Sequence, residues 1–241
     1  MRNLETRTQT RENFDLRTFY GKLYDGTIKS HVPNPARNSI LERMQPVIEK
    51  LTPQDRVLDL GAGRQIMERF MLKSLNGKNA PDCQFVTLDF ADIKAGKLLE
   101  RDTSSVVHVR GDGARLPFRD NTFSAVFSDM AFEFMGNQKY AELGRVVKPD
   151  GHIFINILHE KAPETQIPEY EARVSESRNN KTQLNKWVDY WRNYQRVCSE
   201  FTQSPHAVTE RFRQNGMVIN RYQFAESPQY DWVEIDARKV A

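Results

Sequence analysis

Short apolar runs separated by amphipathic stretches fill the middle of the chain. Five runs have the length and apolar character of buried strands: 56–60, 84–88, 105–109, 123–127 and 151–158. Apolar residues recur at helical spacing over 65–75, 93–99 and 139–147. Strands that alternate with helices predict a parallel sheet covered by helices on both faces. Ligands of such sheets bind at the carboxyl ends of the strands.

The two ends of the chain depart from this alternation. Helical spacing is found over 14–24 and 36–51, where Pro46 predicts a kink or two short helices. Further helices are predicted over 183–201 and 208–212, and two final strands over 217–224 and 232–239. The predicted organisation is an N-terminal helical lid segment (1–50), a core (51–160), a helical cap insertion (161–210) and the final strands of the core sheet (211–241).

Composition places the chain among ordinary globular proteins. Of 241 residues, 39% are hydrophobic, and 35 basic against 32 acidic residues leave a net charge of +3. No basic run indicates a nucleic-acid partner, and no signal peptide or membrane span is predicted. Two cysteines exclude a disulfide scaffold and a four-cysteine zinc site, so we expect a cytoplasmic protein with reduced thiols.

A glycine-rich turn follows the first predicted strand. The segment 57–64 reads strand, acid, then a turn that opens a helix, with Asp59 followed by Gly61, Ala62 and Gly63. Glycines allow the backbone to approach a ligand closely. Ile66 stands where the dinucleotide fingerprint has its third glycine, so the turn indicates a nucleotide or nucleoside site without that signature.

An acidic residue, Asp89, ends the second predicted strand. A carboxylate there can accept both hydroxyls of a ribose. It lies 28 residues past Gly61, more than the usual ~20, and the loop-like stretch 76–82 accounts for the excess. The alternative is an aspartate in a solvent-facing turn.

Three further motifs complete a family pattern. They lie at 111–118 (GDGARLPF), 120–126 (DNTFSAV) and 142–151 (ELGRVVKPDG). With them, residues 55–158 resemble the class I S-adenosylmethionine-dependent methyltransferases, in particular the branch that contains the ubiquinone and menaquinone methyltransferases. The resemblance implies an α/β fold: a three-layer sandwich with a Rossmann-like, seven-stranded, mainly parallel sheet, an antiparallel member among the last two strands, and a helical cap.

The resemblance also implies S-adenosylmethionine as the cofactor and names the residues around it. The loop after the first strand, with Asp59, would hold the methionine part. Asp89 would bind the ribose, Phe90 would pack near the adenine, and Asp112 would accept from the adenine amino group. The full set of implied cofactor-binding residues is Asp59, Gly61, Ala62, Gly63, Asp89, Phe90, Gly111, Asp112, Gly113, Ala114, Ser128 and Met130. The chain departs from the family at Gln65 and Asp150, where glycines are usual.

Methyl transfer from a sulfonium is a direct displacement, so the protein mainly aligns the reacting atoms. A base is needed only when the acceptor atom carries a proton. His159, Asp129 and Glu133 are the candidate catalytic residues, and a histidine hydrogen-bonded at a strand end is the alternative for His159. No metal-ligand motif is evident, and no metal is predicted.

Aromatic residues outside the core indicate the acceptor. Tyr20, Tyr24, Trp187 and Trp191 are the candidate substrate-binding residues, and they favour a small, aromatic or largely apolar acceptor. Packing against the core is the alternative for each of them. The segments 14–35 and 161–210 are predicted to form a lid that excludes water.

Competing interpretations remain open at this point. The chain could methylate RNA or protein, although 128–132 reads SDMAF and lacks the Asn/Asp-Pro-Pro-aromatic motif of many nucleic-acid methyltransferases. It could be a non-catalytic module that binds the cofactor or a partner protein. A nicotinamide oxidoreductase is disfavoured by Ile66 and by the Asp112 motif. The oligomeric state is not predicted.

Overall fold

The computed structural model describes residues 35–63, 83–90, 106–159, 199–201, 204–226 and 231–240. Seven strands, numbered along the chain, lie in these ranges. They are β1 (Arg56–Leu60), β2 (Gln84–Asp89), β3 (Val106–Arg110), β4 (Phe123–Asp129), β5 (Val147–His159), β6 (Met217–Glu226) and β7 (Asp231–Lys239).

These strands form one sheet in the order β3-β2-β1-β4-β5-β7-β6. Strands β1 to β5 pair in parallel, and β7 pairs antiparallel with both β5 and β6. The prediction of a seven-stranded, mainly parallel sheet with one antiparallel member near its end is confirmed. The apolar runs indicated the strands because strands buried on both faces need apolar side chains on both sides.

Helices cover both faces of this sheet. They are α1 (Pro35–Ile48), α2 (Lys139–Val146) and α3 (Pro205–Gln214), with a 3-10 turn at Phe132–Phe134. On one face, Ile40 and Met44 of α1 are fully buried in a cluster with Phe127. On the other face, α2 and α3 contribute Leu143 and Phe212 to the larger cluster. The described residues thus form three layers, as expected.

The structure changes how the N-terminal segment is understood. Residues 35–48 belong to the predicted lid segment, yet they form a layer of the core. They also form one helix through Pro46, so two short helices are not present. Proline removes only one helical hydrogen bond there, close to the helix end, while buried Met44 and Ile48 keep that face packed on the sheet.

Two element boundaries differ from expectation. Strand β5 begins at Val147 instead of residue 151, and a bulge separates its first pair, Phe123 with Val147, from the next, Ala125 with His152. Asp150 in this bulge has a φ of 63°. The predicted cap boundary at residue 210 falls inside α3. The helices predicted over 14–24, 65–75 and 93–99, and most of 183–201, lie outside the described residues.

Candidate functional site

The order of the strands creates a crevice between β1 and β4. The chain runs outward from β1 to β3 and then returns to the other side of β1 as β4. Loops that follow β1 and β4 therefore diverge at the carboxyl ends of the strands, which is where ligands bind in open α/β sheets. The residues after β1, β2, β3 and β4 build the site described below.

The turn after β1 is fastened to the end of β2. Gly61 has a φ of 84°, in the left-handed region that favours glycine. The N–H groups of Gly61 and Ala62 both donate to the Leu88 carbonyl, at 2.8 and 3.1 Å. The Gly63 N–H donates to Oδ2 of Asp89 at 2.9 Å. The Asp89 carboxylate therefore holds the glycine turn from the neighbouring strand.

The loop after β3 is fastened to the same strand end. The Gly111 N–H donates to the Asp89 carbonyl at 2.9 Å. Within the loop, the Asp112 carboxylate accepts the Ala114 N–H at 2.9 Å. Gly113 is buried against Met135, and a Cβ at this glycine would lie 2.7 Å from Met135 Cγ. A Cβ at residue 113 would therefore require the Met135 side chain to move.

Residues of α2 hold the continuation of this loop. Glu142 accepts the Leu116 N–H at 2.6 Å, and Arg145 donates to the Leu116 and Phe118 carbonyls at 2.9 and 2.7 Å. Arg145 also bonds Glu142 at 2.7 Å, and this hydrogen bonding lowers the pKa of Glu142. Two residues of the ELGR motif (142–145) thus hold the Asp112 loop by hydrogen bonds to its backbone.

The end of β4 turns sharply into the cleft. Met130 has a φ of 58°, unusual for a residue with a side chain, and its N–H donates to the Asn156 carbonyl at 2.8 Å. A Cβ on Gly61 would collide with Ala131. Phe132 is fully buried and packs edge-on against Tyr140 at 5.5 Å between ring centroids. These contacts fix the segment that forms one wall of the cleft.

The cleft has about 620 Å³ of space, counted with its open mouth. Its wall contains seven of the twelve predicted cofactor-binding residues and the candidate base Asp129. The lining residues are Gly61, Leu88, Asp89, Phe90, Gly111, Asp112, Gly113, Asp129, Met130, Ala131, Phe134 and Met135.

The other predicted cofactor-binding residues lie behind this wall or beside it. They are Asp59, Ala62, Gly63, Ala114 and Ser128. Ser128 is fully buried and donates to the Leu60 carbonyl at 2.7 Å, so its hydroxyl joins β4 to β1 instead of facing the cleft. Asp59 is 2% exposed on β1. Gly63 and Ala114 act through backbone N–H groups within the two loops.

Of the remaining candidates, only Glu133 has a described side chain. Glu133 is 2% exposed within the 3-10 turn and does not line the cleft. His159 ends β5, and its side chain lies outside the described atoms. The candidate substrate-binding residues Tyr20, Tyr24, Trp187 and Trp191 lie outside the described residues, so those assignments remain predictions.

Four lining residues were not predicted from the sequence: Leu88, Ala131, Phe134 and Met135. Leu88 precedes Asp89 and could have been found from its place at a strand end. The other three follow Met130. The left-handed backbone of Met130 turns the chain so that they line the cleft beside the glycine loops. No local sequence signal indicates that turn.

Asp129 is a buried carboxyl group at the cleft wall. Its side chain is 7% exposed, and Nε of Arg37 on α1 lies 3.4 Å from its Oδ2. The Asn156 amide donates to its Oδ1 at 3.3 Å. Burial raises the pKa of Asp129, and the positive charge of Arg37 opposes part of that rise. A carboxylate with a raised pKa accepts a proton more readily than an exposed aspartate does.

The described ranges contain neither a metal-binding cluster nor a membrane-spanning helix. No group of three or more His, Cys, Asp or Glu side chains there is arranged to hold a metal ion. No described helix is long and apolar enough to cross a membrane.

Part of this chain is similar to known methyltransferases. Residues 58–155 match the model of a methyltransferase domain. A demethylmenaquinone methyltransferase from Corynebacterium kroppenstedtii is 31% identical over 140 residues, covering 56% of this chain and 55% of that protein. One from Corynebacterium glutamicum is 37% identical over 109 residues, covering 44% and 42%. The chain thus spans about half the length of the curated relatives it matches.

A solved structure shows the same fold over nearly the whole chain. The 1,6-didemethyltoxoflavin-N1-methyltransferase of Burkholderia thailandensis, solved with 1,6-didemethyltoxoflavin and S-adenosylhomocysteine, has a TM-score of 0.61 at 13% identity. The match covers 94% of this chain and 88% of that one. At this identity the likeness concerns the fold.

Proposed function

We propose that this chain, whose residues 58–155 match the model of a methyltransferase domain, transfers a methyl group from S-adenosylmethionine to a small, aromatic or largely apolar acceptor. The observation that carries the proposal is the convergence of the glycine turn, Asp89 and the Asp112 loop on one cleft that also contains buried Asp129. When bound, S-adenosylmethionine supplies an activated methyl group on a sulfonium.

The donor set around the cleft suits this cofactor. Asp89 uses one oxygen to hold Gly63, and a carboxylate retains further lone pairs for the hydroxyls of a ribose. Asp112 lies in the facing loop and can accept from an amino group. Phe90 offers an aromatic face for a base at the same wall. Gly61 and Gly113 let the two loops approach the segment after β4.

The acceptor proposal rests on the apolar wall and on the relatives. Met130, Phe134 and Met135 give the β4 side of the cleft an apolar surface. Two relatives are named for demethylmenaquinone, so the first acceptor class to test is a reduced naphthoquinone. Such a quinol carries an acidic hydroxyl beside the ring carbon that could receive the methyl group. Removal of the hydroxyl proton makes that carbon a stronger nucleophile.

Asp129 is the residue that we assign to this proton transfer. It lies on the cleft wall, whereas Glu133 does not line the cleft. Its burial disfavours the charged form, which makes the carboxylate a stronger base than an exposed aspartate. His159 remains the alternative at the end of the neighbouring strand β5.

The test combines binding with turnover. Calorimetric titration with S-adenosylmethionine is expected to show binding that Asp89→Asn weakens about 10- to 100-fold, since a hydrogen bond to a charged group contributes ~1.5–3 kcal/mol. Asp120→Asn, at a carboxylate whose side chain is 70% exposed, is the matched control and should bind normally.

Turnover is measured as S-adenosylhomocysteine formed with 1,4-naphthohydroquinone under reducing conditions. We expect Asp129→Asn to lower turnover at least ~100-fold with unchanged cofactor affinity. Normal turnover by this variant would remove Asp129 from the mechanism. Product formed only with RNA or protein acceptors would overturn the small-molecule proposal.

A further inference from the structure

A row of polar side chains crosses the buried face of the sheet under α1. Asp129, Asn156 and Glu234 stand side by side on β4, β5 and β7, because Asp129 pairs with Asn156 and Asn156 with Glu234 in the strand register. Asn156 is fully buried and Glu234 is 2% exposed. A buried charged group is stable only when it is paired, so the acids of this row need partners that donate to them.

Helix α1 supplies those partners. Arg37 reaches Asp129, with Nε 3.4 Å from Oδ2. Ser39 donates to Glu234 at the other end of the row. Arg43 donates to the side-chain amide oxygen of Asn156 and forms an ion pair with Asp236. One helix therefore contacts every member of the row, and only the Arg37 end lies beside the cleft.

The orientation of the Asn156 amide follows from these contacts. Arg43 donates to the amide oxygen of Asn156, so the amide nitrogen points away from Arg43. It donates to the Ala36 carbonyl at 2.6 Å and to Asp129 Oδ1 at 3.3 Å. Each oxygen of Asp129 thus faces a donor, Asn156 at Oδ1 and Arg37 at Oδ2. Arg37 is the nearer of the two cations that act on it.

We propose that Arg37 is a positioning residue for the methyl transfer: its guanidinium holds the Asp129 carboxylate ionised and in place at the cleft wall. The catalytic meaning of this inference rests on the proposed function, in which Asp129 accepts the proton. The structural part, that Arg37 controls the ionisation of Asp129, stands without it.

The charged groups on the elements packed around Asp129 support this assignment. Helix α1 presents Arg37 and Arg43, and β5 presents the neutral Asn156. The acids on the surrounding elements are Asp59 on β1, Glu133 in the 3-10 turn, and Glu234 and Asp236 on β7. Arg43 is already engaged by Asp236 and by the Asn156 amide. Loss of Arg37 would leave a buried carboxylate with its nearest cation removed, which favours protonation.

The direct test is a pH titration of Asp129 by NMR, with 13C-labelled aspartate carboxyl carbons. Asp129→Asn identifies the signal by its disappearance. We expect Arg37→Met to move the titration midpoint upward by about one pH unit or more. Arg37→Lys keeps the charge and should stay near the wild-type midpoint, and Arg37→Gln repeats the charge loss if the methionine variant does not fold.

The matched control is Arg238→Met, which also removes one arginine from one ion pair. Arg238 pairs with Asp150 at 2.9 Å, at the opposite end of the strands. Its loss should leave the Asp129 midpoint unchanged. A wild-type midpoint in the folded Arg37→Met protein would overturn the inference, as would an equal shift in the Arg238 variant.

Turnover with 1,4-naphthohydroquinone separates this inference from the proposed function. If both hold, the pH at which kcat reaches half its maximum rises in Arg37→Met together with the NMR midpoint, while cofactor affinity is unchanged. A shifted midpoint with an unshifted rate profile would support the Arg37 assignment and remove Asp129 as the base. An unshifted midpoint, with turnover still lost in Asp129→Asn, would keep the base and reject Arg37.

Discussion

The contact between Gly113 and Met135 joins two walls of the cleft. Gly113 belongs to the loop after β3, and Met135 follows the 3-10 turn after β4. The Met135 side chain occupies the space in which a Cβ at residue 113 would lie. Methionine is flexible and fills irregular gaps, so a larger residue at 113 would displace the side chain before it moved the backbone. The cofactor would meet the displaced side chain because both residues line the cleft.

We therefore expect Gly113→Ala to weaken S-adenosylmethionine binding about tenfold, which corresponds to ~1.4 kcal/mol. The double variant Gly113→Ala with Met135→Ala should recover most of that loss, since the shortened side chain leaves room for the new methyl group. Calorimetric titration of both proteins and of Met135→Ala alone measures the coupling. Equal losses in the single and double variants would show that the Met135 contact is not the cause.

Gly144 of α2 packs against Asn215, the residue that follows α3. Alanine normally stabilises a helix interior by about 1 kcal/mol over glycine. Here a Cβ would collide with the Asn215 carbonyl, which is backbone and cannot turn away, and would lie 3.3 Å from Asn215 Cβ. The tertiary contact therefore opposes the helix propensity. Since α2 also holds the Asp112 loop through Glu142 and Arg145, this packing supports the site.

Gly144→Ala is expected to destabilise the protein by about 1–3 kcal/mol, the range for overpacking a filled interior. Chemical denaturation measures the change. Ala141→Gly, at an exposed position of the same helix, should cost about 1 kcal/mol from propensity alone and serves as the control. A stabilised Gly144→Ala protein would mean that α2 and α3 can separate without loss.

At the scale of the whole molecule, the sequence predicted what depends on local pattern. The first five strands were found within a few residues because each contains an apolar run, and the family resemblance over residues 55–158 is confirmed by the domain match over 58–155. The role of α1 could not be predicted, because the Arg37–Asp129 pair joins residues far apart in sequence. The bulge that starts β5 was also missed, since no apolar alternation marks it.

The whole fold should respond to the cofactor, because the cleft is built by four strand ends and the segments that secure them. A ligand that binds only the folded state stabilises it by about 2.7 kcal/mol at 100 times its Kd. For a chain of this size, 1 kcal/mol raises Tm by ~2–4 °C. We therefore expect S-adenosylhomocysteine to raise Tm by about 5–10 °C in a thermal melt, and NAD to leave it unchanged. Asp89→Ala should abolish the rise while Asp120→Ala keeps it. An equal rise of Tm with NAD would contradict the cofactor assignment, because the cleft would then bind adenine nucleotides without preference for the methyl donor.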